Sequence, residues 1–316
     1  MTKAALSDED FIRLFKEIGA EGISKQTGLN VRSVYKRRKT IEERIDSIIP
    51  APSKIKWTTQ YPVRMPIEID NGTVIVFSDA HYWPDLITTA HRGLLKLVRY
   101  IQPSHIVGNG DLFDGARASR HDRIMWESSP TIKQELEAVL DRLHELTEAA
   151  PKAKLLWTIG NHDSRFETAL SKGVSEFEGV HGFALQDHFP LWEFAISIWI
   201  NEDVIIKHRY KGGVHATHNN TAAAGKTIVT GHLHSLKVTP YSDYTGLRWG
   251  VDTGTLTDPS TDRPGGPQTN YNEDNPQNHR SGFVVLTFKD GLLLWPEIAY
   301  VMNENQICFR GQVINV

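Results

Sequence analysis

Apolar residues near the start of the chain recur at the spacing of a helix. The residues at positions i, i+3, i+4 and i+7 of this segment are Phe11, Leu14, Phe15 and Ile18. One face of the segment is therefore apolar, as in a helix that packs against a core. Ser7 precedes the pattern and acidic residues follow it directly, which is typical of a capped helix N-terminus. We predict an amphipathic helix that begins just after Ser7.

Two further helical segments complete a small N-terminal unit. The first covers residues 21–27 and meets Gly28, and the second follows Asn30, whose side chain can cap it. Residues 1–49 are therefore predicted to form a compact all-α unit. Residues 50–66 contain four prolines and show no periodicity, which predicts a linker to a second domain at 67–316.

From residue 73 onward, short apolar runs alternate with helical patterns. The apolar runs are 73–78, 105–108, 154–159, 195–200, 204–207, 227–230 and 283–288, and the helical patterns are 87–101 and 131–149. This alternation predicts a layered α/β domain. Residues 258–281 are rich in Pro, Gly, Asn and Asp, which predicts a long loop or a mobile lid.

Composition narrows the class of protein. The 316 residues include 14 histidines but a single cysteine, Cys308, so an internal disulfide and a thiolate metal cluster are both excluded. No apolar run approaches the roughly 20 residues that span a membrane, and the amino end is acidic rather than signal-like. We therefore expect a cytoplasmic protein with no membrane partner. Any metal would be bound by nitrogen and oxygen ligands.

Four of the apolar runs end in residues of the types that bind metals. The clusters are Asp79 and His81 after run 73–78, Asp111 and Asp114 after run 105–108, Asn161, His162 and Asp163 after run 154–159, and His232 and His234 after run 227–230. Ligands at strand ends can point into one crevice, and residues two apart on an extended segment share a face. Gly110, Gly160 and Gly231 would allow the sharp turns that present these side chains. The clusters together predict a metal site.

In that order, the motifs Asp-x-His, Gly-Asp-x-x-Asp, Gly-Asn-His-Asp and Gly-His-x-His resemble the calcineurin-like metallophosphoesterase superfamily, over about residues 73–255. The resemblance implies an α/β fold, a β-sandwich flanked by helices, with two metal ions at the strand ends. Matched by motif position, it implies that one metal is held by Asp79, His81 and His234 and the other by Asn161, His208 and His232, with Asp111 bridging. It further implies that His162 is the catalytic histidine and that Asp114 orients it.

Two assignments stay open at this point. His208 follows a strand-like run, as the isolated histidine of the superfamily does, but His215 and His218 lie nearby and could share a helical face. Asp163 is the alternative carboxylate for orienting His162, or else a cap for a helix that begins near residue 164.

The ligand types explain the expected chemistry. Two divalent ions about 3.5–4 Å apart can hold a phosphoryl group and lower the pKa of a bridging water, so that hydroxide is the nucleophile. His162, as an imidazolium, could neutralise the transition state or protonate the leaving oxygen. Carboxylate, amide and imidazole ligands suit Mn²⁺, with Fe²⁺ and Zn²⁺ as alternatives.

The N-terminal unit favours a nucleic-acid substrate. Although the whole chain has a net charge of −3, residues 25–39 contain six basic residues and no acidic one. The segment 21–39 resembles a helix-turn-helix, in which Arg32, Lys36 and Arg37 would face DNA phosphates. The alternative is a solvated basic helix used for folding or self-association.

The substrate can be narrowed only by a finer resemblance. GDLFD and GNHDS look most like the SbcD-type DNA repair exonucleases, although this chain lacks an obvious C-terminal capping domain. We therefore predict a metal-dependent phosphodiesterase, a DNA nuclease, with DNA as its partner. The alternative is a phosphatase or phosphodiesterase that acts on nucleotides or other small phosphate esters.

Overall fold

The computed structural model describes residues 6–52, 60–120, 128–258 and 278–316. The chain divides into two compact units, Met1–Gln60 and Tyr61–Val316. The helices of the described residues are α1 (Asp8–Thr27), α2 (Val31–Ile45), α3 (Thr89–Ile101), α4 (Ile132–Ala149), α5 (Arg165–Gly173) and α6 (Ala216–Ala224). The strands are β1 (Met65–Ile67), β2 (Gly72–Phe77), β3 (His105–Gly108), β4 (Lys154–Thr158), β5 (Glu193–Ala195), β6 (Ile198–Ile200), β7 (Val204–Ile206), β8 (Thr227–Thr230), β9 (Lys237–Asp243), β10 (Gly246–Asp252), β11 (Gly282–Lys289), β12 (Leu292–Leu293), β13 (Glu297–Asn303), β14 (Gln306–Phe309) and β15 (Gln312–Asn315).

The N-terminal unit consists of α1 and α2. Gly19 interrupts α1 with φ 67° and ψ −175°, so α1 comprises two helical segments, and Gly28 ends it in the left-handed conformation. Asn30 caps α2 by accepting a hydrogen bond from the backbone N–H of Arg32 at 2.8 Å. The core of the unit is apolar and fully buried, and includes Phe11, Phe15, Ile23, Val34 and Ile41.

The second unit is a sandwich of two sheets. One sheet has six strands in the order β1-β6-β7-β8-β10-β9, and the other has nine in the order β15-β14-β13-β11-β2-β3-β4-β5, with β12 paired to β11. Strands β2, β3, β4 and β5 are mutually parallel, and so are β7, β8 and β10. The expected α/β fold, a β-sandwich with flanking helices, is confirmed.

Strand β2 shows why the domain has two cores. Its side chains alternate: Val74 and Val76 lie between the sheets, whereas Ile75 and Phe77 face the opposite side. On that side they share a core with α3 and α4 residues such as Leu94. A strand buried on both faces has a continuous apolar sequence, which is what the run at 73–78 indicated.

Some predicted elements differ from those observed. The run at 195–200 is two strands, because β5 belongs to the nine-stranded sheet and β6 to the six-stranded sheet. Met65 and Pro66, at the end of the predicted linker, lie in β1. Residues 53–59 of that linker and residues 259–277 of the predicted lid lie outside the described residues.

Candidate metal centre

The predicted ligands meet where the strands of both sheets end. The side chains form three groups, and within each group the ligand atoms lie within 4.8 Å of one another. The groups share members and are Asp79, His81 and His234; His81, Asp111 and His162; and Asp111, His208 and His232. His81 belongs to the first and second groups and Asp111 to the second and third, so the second group links the other two. Asp111 faces both His81 and the pair His208 and His232, which is the place a bridging carboxylate would take.

His208 provides a test of whether a cation fits this site. Its Nδ1 lies 2.8 Å from the backbone oxygen of Asn109, so Nδ1–H is the donor and a neutral ring keeps its lone pair on Nε2. That Nε2 lies 3.0 Å from Oδ2 of Asp111, which is also an electron-pair donor. Two such atoms at this distance need a proton or a metal ion close to both. The arrangement therefore fits a metal ligand whose tautomer is fixed by a backbone carbonyl.

Two more polar atoms, on other predicted ligand residues, lack hydrogen-bond partners. Oδ1 of Asn161 and Nδ1 of His234 are buried and accept no hydrogen bond from any described residue. A buried polar atom without a partner is costly unless a water or an ion completes it. The residues present thus fit divalent cations held by oxygen and nitrogen.

Asp114 orients two imidazoles. Its Oδ1 accepts hydrogen bonds from Nδ1 of His81 and Nδ1 of His162, both at 2.8 Å. Because each Nδ1 is engaged, each ring presents Nε2 to the centre of the site. Nε2 of His162 lies 4.0 Å from Oδ2 of Asp111. Of the two candidate carboxylates, Asp114 is therefore the one that contacts the His162 ring.

Asp163 holds the backbone that carries the ligands. Its Oδ2 accepts hydrogen bonds from the N–H of Asp111 at 2.8 Å, the N–H of Gly160 at 2.8 Å and the indole N–H of Trp157 at 3.0 Å. Its Oδ1 accepts from the next two backbone N–H groups after Asp111, both at 3.1 Å. Asp163 is thus a buried joint between the ends of β3 and β4 rather than a side-chain cap for α5.

Glycines stand where these side chains need space. At Gly160 an added Cβ would lie 2.1 Å from Oδ1 of Asp111, and at Gly231 it would lie 2.6 Å from Oδ2 of Asp79. Of the three glycines expected to form sharp turns, only Gly110 has a positive φ, 81°. Gly160 and Gly231 are required for close approach and not for backbone conformation.

Charge and burial shift the pKa values of these groups. Burial raises the pKa of Asp79, but His234 and His208 outweigh it and hold that pKa below its ordinary range. Burial lowers the pKa of His208, but Asp111 and Asp79 outweigh it and hold that pKa above its ordinary range. For His162, burial is likewise outweighed, here by the hydrogen bond to Asp114, so its pKa is raised. The cleft therefore stabilises positive charge, whether carried by protons or by metal ions.

Sequence reasoning missed several supporting residues. Arg165, in the first turn of α5, donates to the backbone oxygen of Asp114 at 2.9 Å, and its Nη2 lies 3.2 Å from Nε2 of His162. Glu135 of α4 accepts from the N–H of Gly115 at 2.6 Å. An arginine directly after GNHDS was a visible signal, whereas Glu135 lies in an ordinary amphipathic helix and gave none.

On the other sheet, Asp252 supports the loop that carries His232 and His234. It is buried at the end of β10 and accepts from the N–H of Ser235 at 3.1 Å and the N–H of Gly254 at 3.0 Å. Burial raises the pKa of Asp252 to about 6. The segment before Asp252 is not one of the predicted apolar runs, so the sequence pattern gave no signal for this residue.

The other histidine candidates lie away from this cleft. His215 and His218 are exposed, and neither belongs to a group of described residues that could hold a metal. The ring of His218 packs against Tyr241, with centroids 5.2 Å apart. The structure therefore brings His208, and not these two, to Asp111.

The residues predicted to face DNA fall into two sets. Arg32 and Lys36 of α2 are exposed. Arg37 is engaged within the N-terminal unit: it donates to Oδ1 of Asp8 at 2.9 Å and stacks on Phe11, 4.9 Å from the ring centroid. Arg37 therefore contributes to packing of α2 on α1, which the count of basic residues could not indicate.

Among the described helices, none is long and apolar enough to cross a bilayer.

Solved structures that are similar to this chain share little sequence with it. A single mutant of Vps29 from Entamoeba histolytica has a TM-score of 0.39 at 12% identity, covering 77% of this chain and 99% of that one. An archaeal phosphodiesterase has a TM-score of 0.37 at 13% identity, covering 72% and 99%. Yfce, a phosphoesterase from E. coli, has a TM-score of 0.34 at 14% identity, covering 71% and 97%.

No curated protein matches the chain. The family described as calcineurin-like phosphoesterase matches residues 72–236, which is more than half of the sequence and includes every predicted ligand. This segment runs from the start of β2 to the loop after β8. The chain belongs to the calcineurin-like phosphoesterase family.

Proposed function

We propose that the protein hydrolyses phosphodiester bonds of DNA at a centre of two divalent metal ions, with Mn²⁺ as the first candidate and Fe²⁺ or Zn²⁺ as alternatives. The carrying observation is that ligand atoms of Asp111 lie within 4.8 Å of His81, a member of one ligand group, and of His208 and His232 in the other. One ion would be held by Asp79, His81 and His234, the other by Asn161, His208 and His232, with Asp111 shared. A cytoplasmic location remains a prediction from the sequence.

The protein side chains have separate tasks in this chemistry. A pair of divalent ions, when bound, supplies Lewis-acid chemistry: it withdraws charge from a phosphoryl group and lowers the pKa of water at the site. His162 is held by Asp114, its pKa is raised, and its side chain is 22% exposed. It is thus placed to give a proton to the leaving oxygen. Arg165 lies beside it and can bind a phosphoryl oxygen by charge-assisted hydrogen bonds.

The N-terminal unit supports a polymeric substrate. Helix α2 follows the turn at Gly28 and has no acidic residue in its first turn, while Arg32, Lys36 and Lys39 are exposed along it. Exposed cations on a helix that follows such a turn suit contacts to DNA phosphates. The net charge of the chain would not reveal this, because acidic residues elsewhere balance it.

A second candidate is a phosphatase or phosphodiesterase for nucleotides, with the N-terminal unit used for assembly. The observation that favours it is that Arg37 and Arg38 are already paired, with Asp8 and Glu42 respectively. Fewer cations of α2 are then free for DNA than the sequence indicated.

An activity screen separates the two candidates. Purified protein with Mn²⁺ would be assayed on single- and double-stranded DNA, RNA, an aryl phosphodiester and an aryl phosphomonoester. His162→Ala serves as the inactive reference, and Arg32→Gln with Lys36→Gln tests the N-terminal unit. DNA cleavage that His162→Ala abolishes and that the double variant weakens supports the nuclease. Hydrolysis of small esters without cleavage of any polymer would refute it and favour the second candidate.

A further inference from the structure

A groove of about 520 Å³ opens directly beside the metal centre. Its lining includes His232, which belongs to the metal-ligand groups, and the loop that follows the ligand His208. A substrate held at the metal centre would therefore extend into this groove. The lining also includes three cations, Lys207, Arg209 and Lys211, none of which was argued above to act in hydrolysis.

These three cations give the groove a strong positive charge. They occur within five consecutive residues, and the lining contains no carboxylate. No carboxylate in the described part of the chain forms an ion pair with any of them. The ammonium groups of Lys207 and Lys211 lie 5.2 Å and 5.7 Å from the ring centroid of Tyr210, within range of a cation–π contact. The groove thus holds uncompensated positive charge around one exposed aromatic ring.

Hydrogen bonds hold the loop that carries the cations, residues 207–214, in place. Asn220 of α6 is 1% exposed; its Oδ1 accepts from the N–H of Lys211 at 3.0 Å and its Nδ2 donates to the Lys211 oxygen at 3.3 Å. Lys237 donates to the oxygen of Val214, further along the same loop, at 2.9 Å. At its start the loop is fixed by His208 bound to Asn109. A buried side chain that clamps the backbone of Lys211 from both sides indicates a built site.

We infer that this groove binds a second phosphate group of the substrate, adjacent to the phosphate at the metal centre. The inference rests on the proposed function and makes it more specific, because each segment of a nucleotide chain presents a second phosphate next to the one that is hydrolysed. Arg209 and Lys211 would bind the second phosphate by charge-assisted hydrogen bonds. A simple aryl phosphodiester has one phosphate and would leave the groove unused.

The test is equilibrium binding to the full-length protein with Mn²⁺ present, measured by calorimetry. The probes are thymidine 5′-phosphate, thymidine 3′-phosphate and thymidine 3′,5′-bisphosphate, which are too small to need the N-terminal unit. We expect the bisphosphate to bind about tenfold or more tightly than either monophosphate, as expected for an added hydrogen-bonded ionic contact. In the double variant Arg209→Gln, Lys211→Gln the ratio should fall to about one, while binding of the monophosphates stays within about twofold and so reports an intact fold.

The matched control is Lys152→Gln. Lys152 is exposed and precedes the N-terminal end of β4, whereas the metal centre lies at the C-terminal end of that strand. This variant should keep the full preference for the bisphosphate. Equal binding of all three probes to the wild type would overturn the inference, and so would an equal loss in the double variant and in Lys152→Gln.

Cleavage of an oligonucleotide, assayed in parallel, separates this inference from the proposed function. If the protein prefers the bisphosphate but cleaves no oligonucleotide, the second phosphate site is supported and the proposed nuclease activity is refuted. If the protein cleaves DNA but does not prefer the bisphosphate over the monophosphates, the nuclease activity is supported and the second phosphate site is refuted.

Discussion

Five of the predicted ligands extend from left-handed backbone. Their φ angles lie between 41° and 72°, a region that residues with a Cβ seldom adopt, and the five are Asp79, His81, Asp111, His232 and His234. Each such residue costs on the order of 1 kcal/mol or more, so surrounding bonds must hold it. The N–H of Asp79 donates to the oxygen of Gly110 at 3.0 Å, and that of His81 donates to the oxygen of Asp111 at 3.0 Å. These hydrogen bonds join the segment after β2 to the segment after β3, so the two left-handed segments stabilise each other.

At the scale of single residues, Gly160 gives the first prediction. An alanine Cβ at this position would lie 2.1 Å from Oδ1 of Asp111, so the carboxylate must move. We expect Gly160→Ala to lose at least one bound metal ion and to lower kcat/KM on an aryl phosphodiester by about 100-fold or more. Gly173→Ala is the control, because its Cβ would meet open space. Metal analysis that finds two ions in purified Gly160→Ala would contradict the assignment.

Asp114 gives the second prediction, on pH dependence. Asn in its place can still accept from Nδ1 of His81 or His162 but has no charge, so the raised pKa of His162 should fall. A group that must be protonated to act then loses its proton at lower pH. The alkaline limb of the kcat/KM profile should therefore move to lower pH by about one unit or more, and the activity at neutral pH should fall by about 10- to 100-fold.

The pH profile also distinguishes positioning from packing. A variant that is only misfolded would lose activity at every pH without moving the limb. At saturating Mn²⁺ the metal content should stay at the wild-type level in Asp114→Asn, since an amide oxygen can still accept from Nδ1 of the ligand His81. An alkaline limb that does not move would show that Asp114 does not set the protonation of His162.

At the scale of elements, β3 and β8 begin and end where the apolar runs predict, because short buried strands between turns are continuous apolar runs. Helix α6 was not predicted. Its sequence, ATHNNTAAA, has no apolar periodicity, and it packs on β10 at Gly250, where an added Cβ would lie 2.0 Å from the oxygen of Thr217. That contact joins residues 33 positions apart, so local pattern alone could not show it.

The same reasoning explains which parts of the site were visible. Side chains directly after strands could be placed in one crevice from the sequence, because the ends of parallel strands converge. Asp163 was recognised as an acidic residue, but its role depends on five N–H groups from two segments, 111–113 and 157–160. For Arg37, predicted to contact DNA, the sequence did not reveal the ion pair with Asp8, which is 29 positions away in the chain. Contacts between distant segments were the common omission.

Asp163 supplies a third prediction, because it joins the ends of β3 and β4. In Asp163→Asn one oxygen becomes an amide N–H group that faces N–H donors, so buried donors lose their acceptor. We expect the free energy of unfolding to fall by about 2–3 kcal/mol. Chemical denaturation measures it, with Asp203→Asn as the control, since that side chain is 82% exposed. Equal stability of the two variants would mean that the joint contributes nothing.

Helix α2 supplies a fourth prediction. If Arg32 and Lys36 contact phosphates, removing both charges should weaken DNA binding and reduce the salt slope of log K by about 1.8, since each phosphate contact contributes about 0.9. Fluorescence anisotropy over a range of salt concentrations measures both effects. Arg13→Gln on α1 is the control, because this arginine is exposed and paired with Asp10. If the salt slope is the same in the double variant and in Arg13→Gln, Arg32 and Lys36 do not contact DNA phosphates.

At the scale of the whole catalytic unit, the metal centre joins the two sheets. Asp79, His81 and Asp111 follow strands of the nine-stranded sheet, whereas His208 and the pair His232 and His234 follow strands of the six-stranded sheet. Each proposed ion would therefore have ligands from both sheets. A metal ion bound in this way links the sandwich at one edge, so binding and stability of this unit should be coupled.

This coupling gives a fifth prediction. Mn²⁺ at about 100 times its Kd should stabilise the unit by about 2.7 kcal/mol per site, which calorimetry detects as a rise in Tm. At one fixed Mn²⁺ concentration, the rise in Tm should be larger at pH 8 than at pH 6. The raised pKa of His208 means that the metal-free site retains a proton, whose stabilising effect is complete below the unfolded-state pKa and is lost as pH rises through the folded-state value. Mn²⁺ must displace that proton, so its apparent affinity increases with pH.

His208→Ala removes both the ligand and the proton that the ion displaces. In this variant the Mn²⁺-dependent rise in Tm should be smaller, and its change between pH 6 and pH 8 should nearly vanish. His218→Ala is the matched control, since that histidine is exposed and lies outside the ligand groups of the described residues. If His208→Ala kept the wild-type pH dependence, the displaced proton would belong to another group. If Mn²⁺ left Tm unchanged in the wild type, the two sheets would not share the ion, and the centre built around Asp111 would be refuted.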